Sequence, residues 1–90
     1  MTTNLLKYRL RDKQNKPTNT WMPVTPEVIR SPVRYSEVVK IRRAIAYNMR
    51  REGLTCNDIG AILNQHESTI EYGLTKVDYD YIEAVKQIQL

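Results

Sequence analysis

The chain has 90 residues, enough for one small domain, and its 41% apolar and 27% charged residues are ordinary for a globular protein. This composition excludes a wholly disordered chain. The single cysteine, Cys56, excludes an intrachain disulfide and a cysteine-based zinc site. No apolar run approaches the ~18 residues of a membrane span, and the start of the chain is unlike a signal peptide. We therefore expect a soluble, cytoplasmic protein with no membrane partner.

The net charge of +4 conceals a strong asymmetry along the chain. Residues 1–52 carry 12 Lys and Arg against 4 Asp and Glu, a net charge of +8, whereas residues 53–90 carry 2 against 6, a net charge of −4. Clustered cations attract polyanions because phosphate binding releases condensed counterions. The basic half therefore suggests nucleic acid as the partner, with the solvated surface of an ordinary basic protein as the alternative.

Residues 1–35 are predicted to form a basic, proline-containing arm. They hold all four prolines of the chain, which excludes a long helix. The segment Leu6–Arg11 alternates apolar and basic residues with the period of a half-buried strand. One face of that strand carries the cations Lys7, Arg9 and Arg11.

The rest of the arm contains signals for a turn, a second strand and a short helix. A polar stretch over residues 12–19 predicts a turn or loop, and residues 20–24 would return as a second strand of a short hairpin. Thr25-Pro26-Glu27 is typical of a helix start, with an N-cap, a proline at the first helical position and an acid. The alternative for this arm is a mobile basic tail that orders only on a partner.

Residues 36–90 are predicted to form a helical domain, whose first helix runs from Ser36 to Glu52. Ser36 is a good N-cap, and Gly53 ends the helix well. A buried stripe recurs at three- and four-residue spacing, formed by Val38, Ile41, Ile45 and Met49. Another side of the helix carries cations and a tyrosine, namely Lys40, Arg43, Tyr47, Arg50 and Arg51.

Three shorter helices are predicted to follow. Thr55–Asp58 has the spacing of a capping box and starts the second helix, which ends at Leu63 before a tight turn at Asn64. The third helix runs from near His66 to Lys76. The fourth runs from Asp78 to the C-terminus, with an apolar face formed by Tyr81, Ile82, Val85 and Ile88. The predicted fold is mostly α, a helix-turn-helix core of about four helices with a proline-rich, partly extended arm.

Residues 54–70, Leu-Thr-Cys-Asn-Asp-Ile-Gly-Ala-Ile-Leu-Asn-Gln-His-Glu-Ser-Thr-Ile, resemble the helix-turn-helix of LuxR-type regulators and of the sigma-factor region that reads the promoter −35 element. The resemblance implies that Gly60 lets two helices cross closely. It also implies that Asn64 takes the sharp turn and that Ile70 is the core contact of the second helix. Gln65 departs from the pattern, which usually has a branched apolar residue there.

Glu37–Tyr47, followed by Arg51-Glu52, is similar to the long helix in the C-terminal DNA-binding domain of the bacterial replication initiator DnaA. In that family the helix carries basic phosphate contacts and precedes a Leu-Ser-x-x-Glu-Ile-Gly motif, for which this chain has Leu54–Gly60. The family's Asp-His-Ser-Thr-Val signature matches only at Ser68 and Thr69 among its base-reading residues, because the turn is one residue shorter. The resemblance covers residues 36–77 and implies a stand-alone DNA-binding module without the ATPase portion.

The predicted site divides base reading from phosphate binding, a normal division in DNA recognition. The third helix would enter the major groove, where Glu can accept from cytosine N4 and Ser, Thr and His can read base edges. His66 also fits a plain helix cap, and Tyr72 also fits packing. The candidate base-reading residues are His66, Ser68, Thr69, Glu71 and Tyr72. The candidate phosphate contacts are Lys40, Arg43, Tyr47, Arg50 and Arg51, with Lys7, Arg9 and Arg11 from the arm.

The function expected from these patterns is binding of duplex DNA in transcription regulation or replication of a bacterial, plasmid or phage genome. The sequence contains no catalytic set, phosphate loop or metal-ligand cluster, so we expect no enzyme and no cofactor. The alternative is a protein-interaction or assembly module that reuses the fold. The acidic residues 53–90 favour it, and so does the apolar face of the last helix, which offers a surface for self-association into a homo-oligomer.

Overall fold

The computed structural model describes residues 6–88 and 90 and is mostly α, as the sequence predicted. A two-stranded hairpin precedes the helices, and none of the helices in this described part is long and apolar enough to cross a membrane. The elements are β1 (Lys7–Arg11), β2 (Pro17–Pro23), α1 (Pro26–Arg30), α2 (Ser36–Arg51), α3 (Cys56–Leu63), α4 (Glu67–Leu74) and two 3₁₀ helices (Tyr79–Tyr81 and Ala84–Gln87).

The arm forms the predicted hairpin, with a longer second strand than expected. Strands β1 and β2 pair antiparallel, and β2 already begins at Pro17. The turn is short because the Asp12 carboxylate accepts from the backbone N–H groups of Gln14 and Lys16, both at 2.9 Å. Asn15 supplies the left-handed residue of the turn, with φ of 63°. A single Asp side chain thus closes the loop earlier than the polar composition of residues 12–19 suggested.

The hairpin docks on the start of α2 through aromatic residues. Tyr8 is buried, and its ring centroid lies 5.5 Å from that of Tyr35. The Arg11 guanidinium lies over the same Tyr35 ring at 5.7 Å from its centroid. The predicted apolar face of β1 is only partly covered, since Leu10 remains 37% exposed.

The caps of α1 and α2 differ in how well the sequence predicted them. Thr25 caps α1 as expected, its hydroxyl accepting from the Val28 N–H, and Pro26 occupies the first turn. The prediction of Ser36 as the N-cap of α2 was wrong. Tyr35 holds that position because its carbonyl accepts the first helical hydrogen bond, at 2.9 Å from Val39 N, without a side-chain cap. Gly53 follows the end of α2 with φ of 103°, as predicted.

The core is centred on α2. The predicted stripe of this helix is confirmed at three positions that are buried, while Met49 is only partly buried. Apolar side chains from α1, α3, α4 and the C-terminal segment pack against it, so the helix contacts nearly every other element. The largest fully buried side chains are Ile29, Ile41, Ile59, Leu63 and Val38.

A buried cation, Arg42, ties α2 to the end of α1. Its exposed fraction is 8%, and its guanidinium donates to four backbone carbonyls at distances from 2.5 to 3.2 Å. These carbonyls belong to the last residues of α1 and the following loop, where the negative end of a helix dipole favours a cation. The acceptors are Val28, Ile29, Ser31 and Val33.

Helices α3 and α4 are joined by a three-residue turn whose details largely follow the sequence. The capping box of Thr55 and Asp58 is complete, and Asn64 is left-handed, with φ of 57°. The Gln65 N–H then donates to the Gly60 carbonyl at 2.8 Å. A Cβ at Gly60 would lie 2.5 Å from the Gln65 carbonyl oxygen. Gly60 is therefore required first by this turn. The expected close approach of the second helix is seen at the start of α4, where the Glu67 N would lie 3.6 Å from the same Cβ.

The prediction of a fourth α-helix was wrong, although the apolar residues of this segment were identified correctly. Tyr81 and Val85 are buried, but the segment forms two 3₁₀ helices. The Ile82 carbonyl, which an α-helix would pair with the Lys86 N–H, accepts from the Asn48 side chain at 3.0 Å. The Lys86 N–H pairs with Glu83 instead. Since Tyr81 and Val85 pack into the core around α2, they do not form the free face expected for self-association.

Replacing Arg42 should destabilise the fold strongly. Arg42→Met leaves four backbone carbonyls without their donor, and we expect the free energy of unfolding to fall by about 3 kcal/mol or more. Urea unfolding followed by circular dichroism measures the change. Arg34→Met is the control, because Arg34 is exposed and donates none of these hydrogen bonds. Equal stability of the two variants would contradict the role of Arg42.

Two glycine variants test the turn after α3. Gly60→Ala should lower the free energy of unfolding by about 1–3 kcal/mol, because the new methyl group meets a backbone carbonyl that cannot move freely. Gly73→Ala is the matched control. Its Cβ would lie 3.1 Å from Cγ of Arg43, a flexible side chain that can shift. Thermal melts in which Gly73→Ala loses more stability than Gly60→Ala would overturn this assignment.

Candidate nucleic-acid interface

One side of α2 presents the predicted basic residues toward α4 and the segment that follows α4. Arg43, Tyr47 and Arg51 are spaced by one turn and share this side. The Arg43 guanidinium lies 5.8 Å from the Tyr72 ring centroid, and the Arg51 guanidinium lies 5.7 Å from that of Tyr47. The structure thus brings the predicted phosphate-binding helix beside the predicted reading helix.

Tyr72 lies at the centre of this region and is 60% exposed. In addition to Arg43, the Lys76 ammonium lies 5.9 Å from its ring centroid. Cation–π contacts of this kind contribute about 0.5–1 kcal/mol at exposed sites. The ring and its two cations therefore form a preorganised group on the surface. The exposure of Tyr72 does not support the alternative that its ring packs in the core.

A second aromatic pair extends the same surface. The rings of Tyr47 and Tyr79 meet edge to face, with centroids 5.6 Å apart, and Tyr79 is 66% exposed. Sequence reasoning missed Lys76 and Tyr79, because it placed Lys76 at the end of the third helix, which already ends at Leu74, and Tyr79 at the start of a fourth α-helix that does not form. We call the whole region the cation–aromatic surface, consisting of Arg43, Tyr47, Arg51, Tyr72, Lys76 and Tyr79.

A groove of about 530 Å³ opens between α2 and α4 next to Tyr72. It is lined by Arg34 and Arg43, by the hydroxyl-bearing residues Ser68 and Thr69, and by Tyr72. Gly73 lets the Arg43 stem lie against the backbone of α4. Arg34 was missed because it stands alone in the loop before α2, outside any pattern. We call this cavity the α2–α4 groove.

Arg42, at the wall of the groove, keeps its charge although it is buried. Burial lowers the pKa of the Arg42 guanidinium at the groove wall, and the nearby Arg34 charge acts in the same direction. The ordinary pKa of arginine lies so far above neutrality that Arg42 remains a cation. The groove therefore combines three guanidinium groups, of which Arg34 and Arg43 have access to solvent.

The cations of this surface are not neutralised by nearby acids. Within residues 6–88 and 90, the one ion pair closer than 4.0 Å joins Lys86 to Glu83, at 2.8 Å. Glu67 and Glu71 of α4 make no such pair with the surrounding cations. The positive charge of α2 consequently remains available to an anionic ligand.

The other predicted base-reading residues are at the exposed start and side of α4. His66 is the N-cap of α4, as the alternative interpretation of this residue as a plain helix cap predicted. Its ring Nδ1 accepts from the Ser68 N–H at 3.1 Å. The Ser68 hydroxyl also lies 2.8 Å from this nitrogen, so both side chains take part in the cap. Thr69 and Glu71 are exposed and are engaged in no side-chain hydrogen bond in the described residues.

Several predicted phosphate contacts lie outside the cation–aromatic surface. The Arg50 guanidinium donates to the Leu54 carbonyl at 3.0 Å and so joins the end of α2 to the loop before α3. Lys40 is exposed at the start of the same helix. The arm cations belong to the hairpin, where Arg9 lies over Trp21 and Arg11 over Tyr35. The remaining arm cation, Lys7, is exposed on β1.

Neither a metal-binding cluster nor a comparison with known proteins adds a further constraint on this surface. In the described part, no group of three or more His, Cys, Asp or Glu is arranged to hold a metal ion. The chain matches no protein-family model, and comparison with curated proteins and with solved structures returns no match either.

Proposed function

We propose that the chain is a DNA-binding protein in which α3, its turn and α4 act as a helix-turn-helix. In this proposal α4 enters the major groove of duplex DNA, and the protein acts in transcription regulation or replication of a bacterial, plasmid or phage genome. The observation that carries the proposal is Tyr72, exposed on α4 and flanked by Arg43 and Lys76. A reading helix with two cations beside its exposed aromatic ring has positive charge where a phosphate-lined groove would approach it.

The position of Arg43 compensates for the acidic side chains of α4, which oppose DNA binding. Helix α4 carries Glu67 and Glu71 and no cation of its own, and carboxylates are repelled by phosphates. Arg43 of α2 and Lys76 after α4 bring positive charge to the same face. Glu71 is then free to accept from cytosine N4, while the cations hold the backbone.

The α2–α4 groove supplies a second group of phosphate contacts beside the reading helix. Arginine binds phosphate through two parallel N–H donors, and Arg34 and Arg43 line one side of the groove. Thr69 lines the groove as well and offers a hydroxyl donor. A phosphate next to α4 would thus meet guanidinium and hydroxyl groups together.

A second candidate function is an interaction or assembly module, and one observation favours it. An open groove of about 950 Å³ lies between α2, α3 and the C-terminal segment. Its lining combines apolar side chains, among them Met49, Ala61, Ile62 and Ile88, with charged side chains at its edge such as Arg51. A partner protein would bury these side chains. We call this cavity the apolar groove.

Salt dependence tests the proposed DNA contacts. With roughly four to six phosphate contacts, the logarithm of the association constant should fall with the logarithm of salt concentration at a slope near −0.9 per contact. Arg43→Ala should weaken binding to all duplex sequences and flatten that slope by about one unit. Arg50→Ala is the control with a smaller effect, because Arg50 lies outside the cation–aromatic surface and its guanidinium is engaged by the Leu54 carbonyl. Fluorescence anisotropy at several salt concentrations measures both. Binding that ignores salt would refute the proposal.

Variants on α4 separate the two candidate functions. Tyr72→Ala should reduce discrimination between a selected DNA site and random DNA, with little change in stability because the ring is exposed. Glu71→Gln should raise non-specific affinity, since it removes a charge that opposes phosphates; Glu83→Gln is the matched control. The interaction module predicts a different result. DNA binding would be unchanged by both α4 variants, and Ala61→Arg in the apolar groove would change the sedimentation coefficient.

A further inference from the structure

The hairpin carries a second cluster of aromatic and cationic side chains, separate from the cation–aromatic surface. Trp21, the one tryptophan of the chain, is 45% exposed. Arg9 is its direct partner in the antiparallel register, and the Arg9 guanidinium lies 4.9 Å from the centroid of the Trp21 ring. An exposed tryptophan stacked by a cation is thus held on a short, rigid hairpin.

The register shows which face of the hairpin bears this pair. Tyr8 is buried against Tyr35 of the helical body. Because side chains alternate along a strand, Lys7 and Arg9 lie on the opposite face from Tyr8, and Trp21 shares that face as the partner of Arg9. We call this outward side, formed by Lys7, Arg9 and Trp21, the hairpin face.

The charge of the hairpin indicates the kind of ligand. Residues 6–24 contain five Lys and Arg but only one acid, Asp12, a net charge of +4. The Asp12 carboxylate is occupied by the N–H groups of the turn. No acid in the described residues lies within ion-pair distance of the hairpin cations. These charges and the exposed indole favour an anionic ligand that carries a flat group able to stack on Trp21.

We propose that the hairpin face binds single-stranded DNA, with an unpaired base stacked on Trp21 and the adjoining phosphates on Lys7 and Arg9. Bases stack on exposed aromatic side chains whatever their sequence, and flanking cations follow the strand. Binding here is independent of α4, because the hairpin face lies away from the helical body. The choice of DNA over RNA rests on the proposed function, whereas the single-strand contact itself does not.

Trp21 fluorescence allows binding at the hairpin face to be measured directly. Oligothymidylate added to the full chain should quench Trp21 fluorescence and reduce its accessibility to acrylamide, and the fully paired duplex should do so much less. Trp21→Ala, followed by anisotropy of a labelled strand, should weaken single-strand binding about tenfold. Trp21→Phe should retain most of the affinity, which guards against a loss through misfolding. Met22→Ala is the matched control, since Met22 is 38% exposed but lies on the face of Tyr8.

Each of the other outcomes overturns the proposal. Unchanged Trp21 fluorescence with oligothymidylate, or equal losses for Met22→Ala and Trp21→Ala, would show that the hairpin face does not bind a base. Quenching by anionic lipid vesicles alone would assign it to a membrane surface, and tighter binding of oligouridylate would assign it to RNA. If the duplex proposal alone fails, the protein does not bind duplex DNA, but oligothymidylate still quenches Trp21 fluorescence.

Discussion

The buried guanidinium of Arg42 is the interaction on which the arrangement of this small protein depends. Four carbonyls at the end of α1 and in the loop that follows accept hydrogen bonds from this one side chain of α2. These hydrogen bonds fix the loop just before Arg34 and Tyr35. The Tyr35 ring in turn packs against Tyr8 of the hairpin. A second link joins α1 to α3, because Arg30 donates to the Ile62 carbonyl and Asn64 donates to the Arg30 carbonyl.

Two neighbouring arginines of α2, Arg42 and Arg43, have different roles. The burial of Arg42 stabilises the fold, whereas its neighbour Arg43 passes over Gly73 to reach Tyr72 on α4. A one-residue step on a helix rotates a side chain by about a quarter turn, which is enough to move it from core to surface. The charge of α2 therefore cannot be assigned to a ligand as a whole, and only the side that faces α4 contributes to the proposed interface.

The sequence predicted the features that depend on local chemistry. The caps at Thr25 and Thr55, the left-handed Asn64 and the apolar stripe of α2 follow from neighbouring residues alone, and the structure confirms them. Features that depend on distant contacts were missed. Asn48 donates to the Ile82 carbonyl from 34 positions away, in a segment that forms two 3₁₀ helices where a fourth α-helix was predicted.

The candidate site shows the same division between local and distant effects. Arg43, Tyr47, Arg51 and Tyr72 were predicted from helical spacing and from resemblance, and the structure brings them close together. Lys76, Tyr79 and Arg34 join them through the tertiary packing of short segments that carry no periodic signal. Arg50 has the spacing of a ligand-binding residue, but its guanidinium donates to the Leu54 carbonyl in the loop before α3.

The central claim is that duplex DNA contacts α4 and the side of α2 that faces it. Amide NMR spectra of the full chain during titration with duplex DNA test this residue by residue. The proposal predicts that the largest shifts occur at Arg43, Thr69, Tyr72 and Lys76, while residues of the apolar groove such as Ala61 change little. No saturable shifts, or shifts confined to the apolar groove around Ala61, would contradict it.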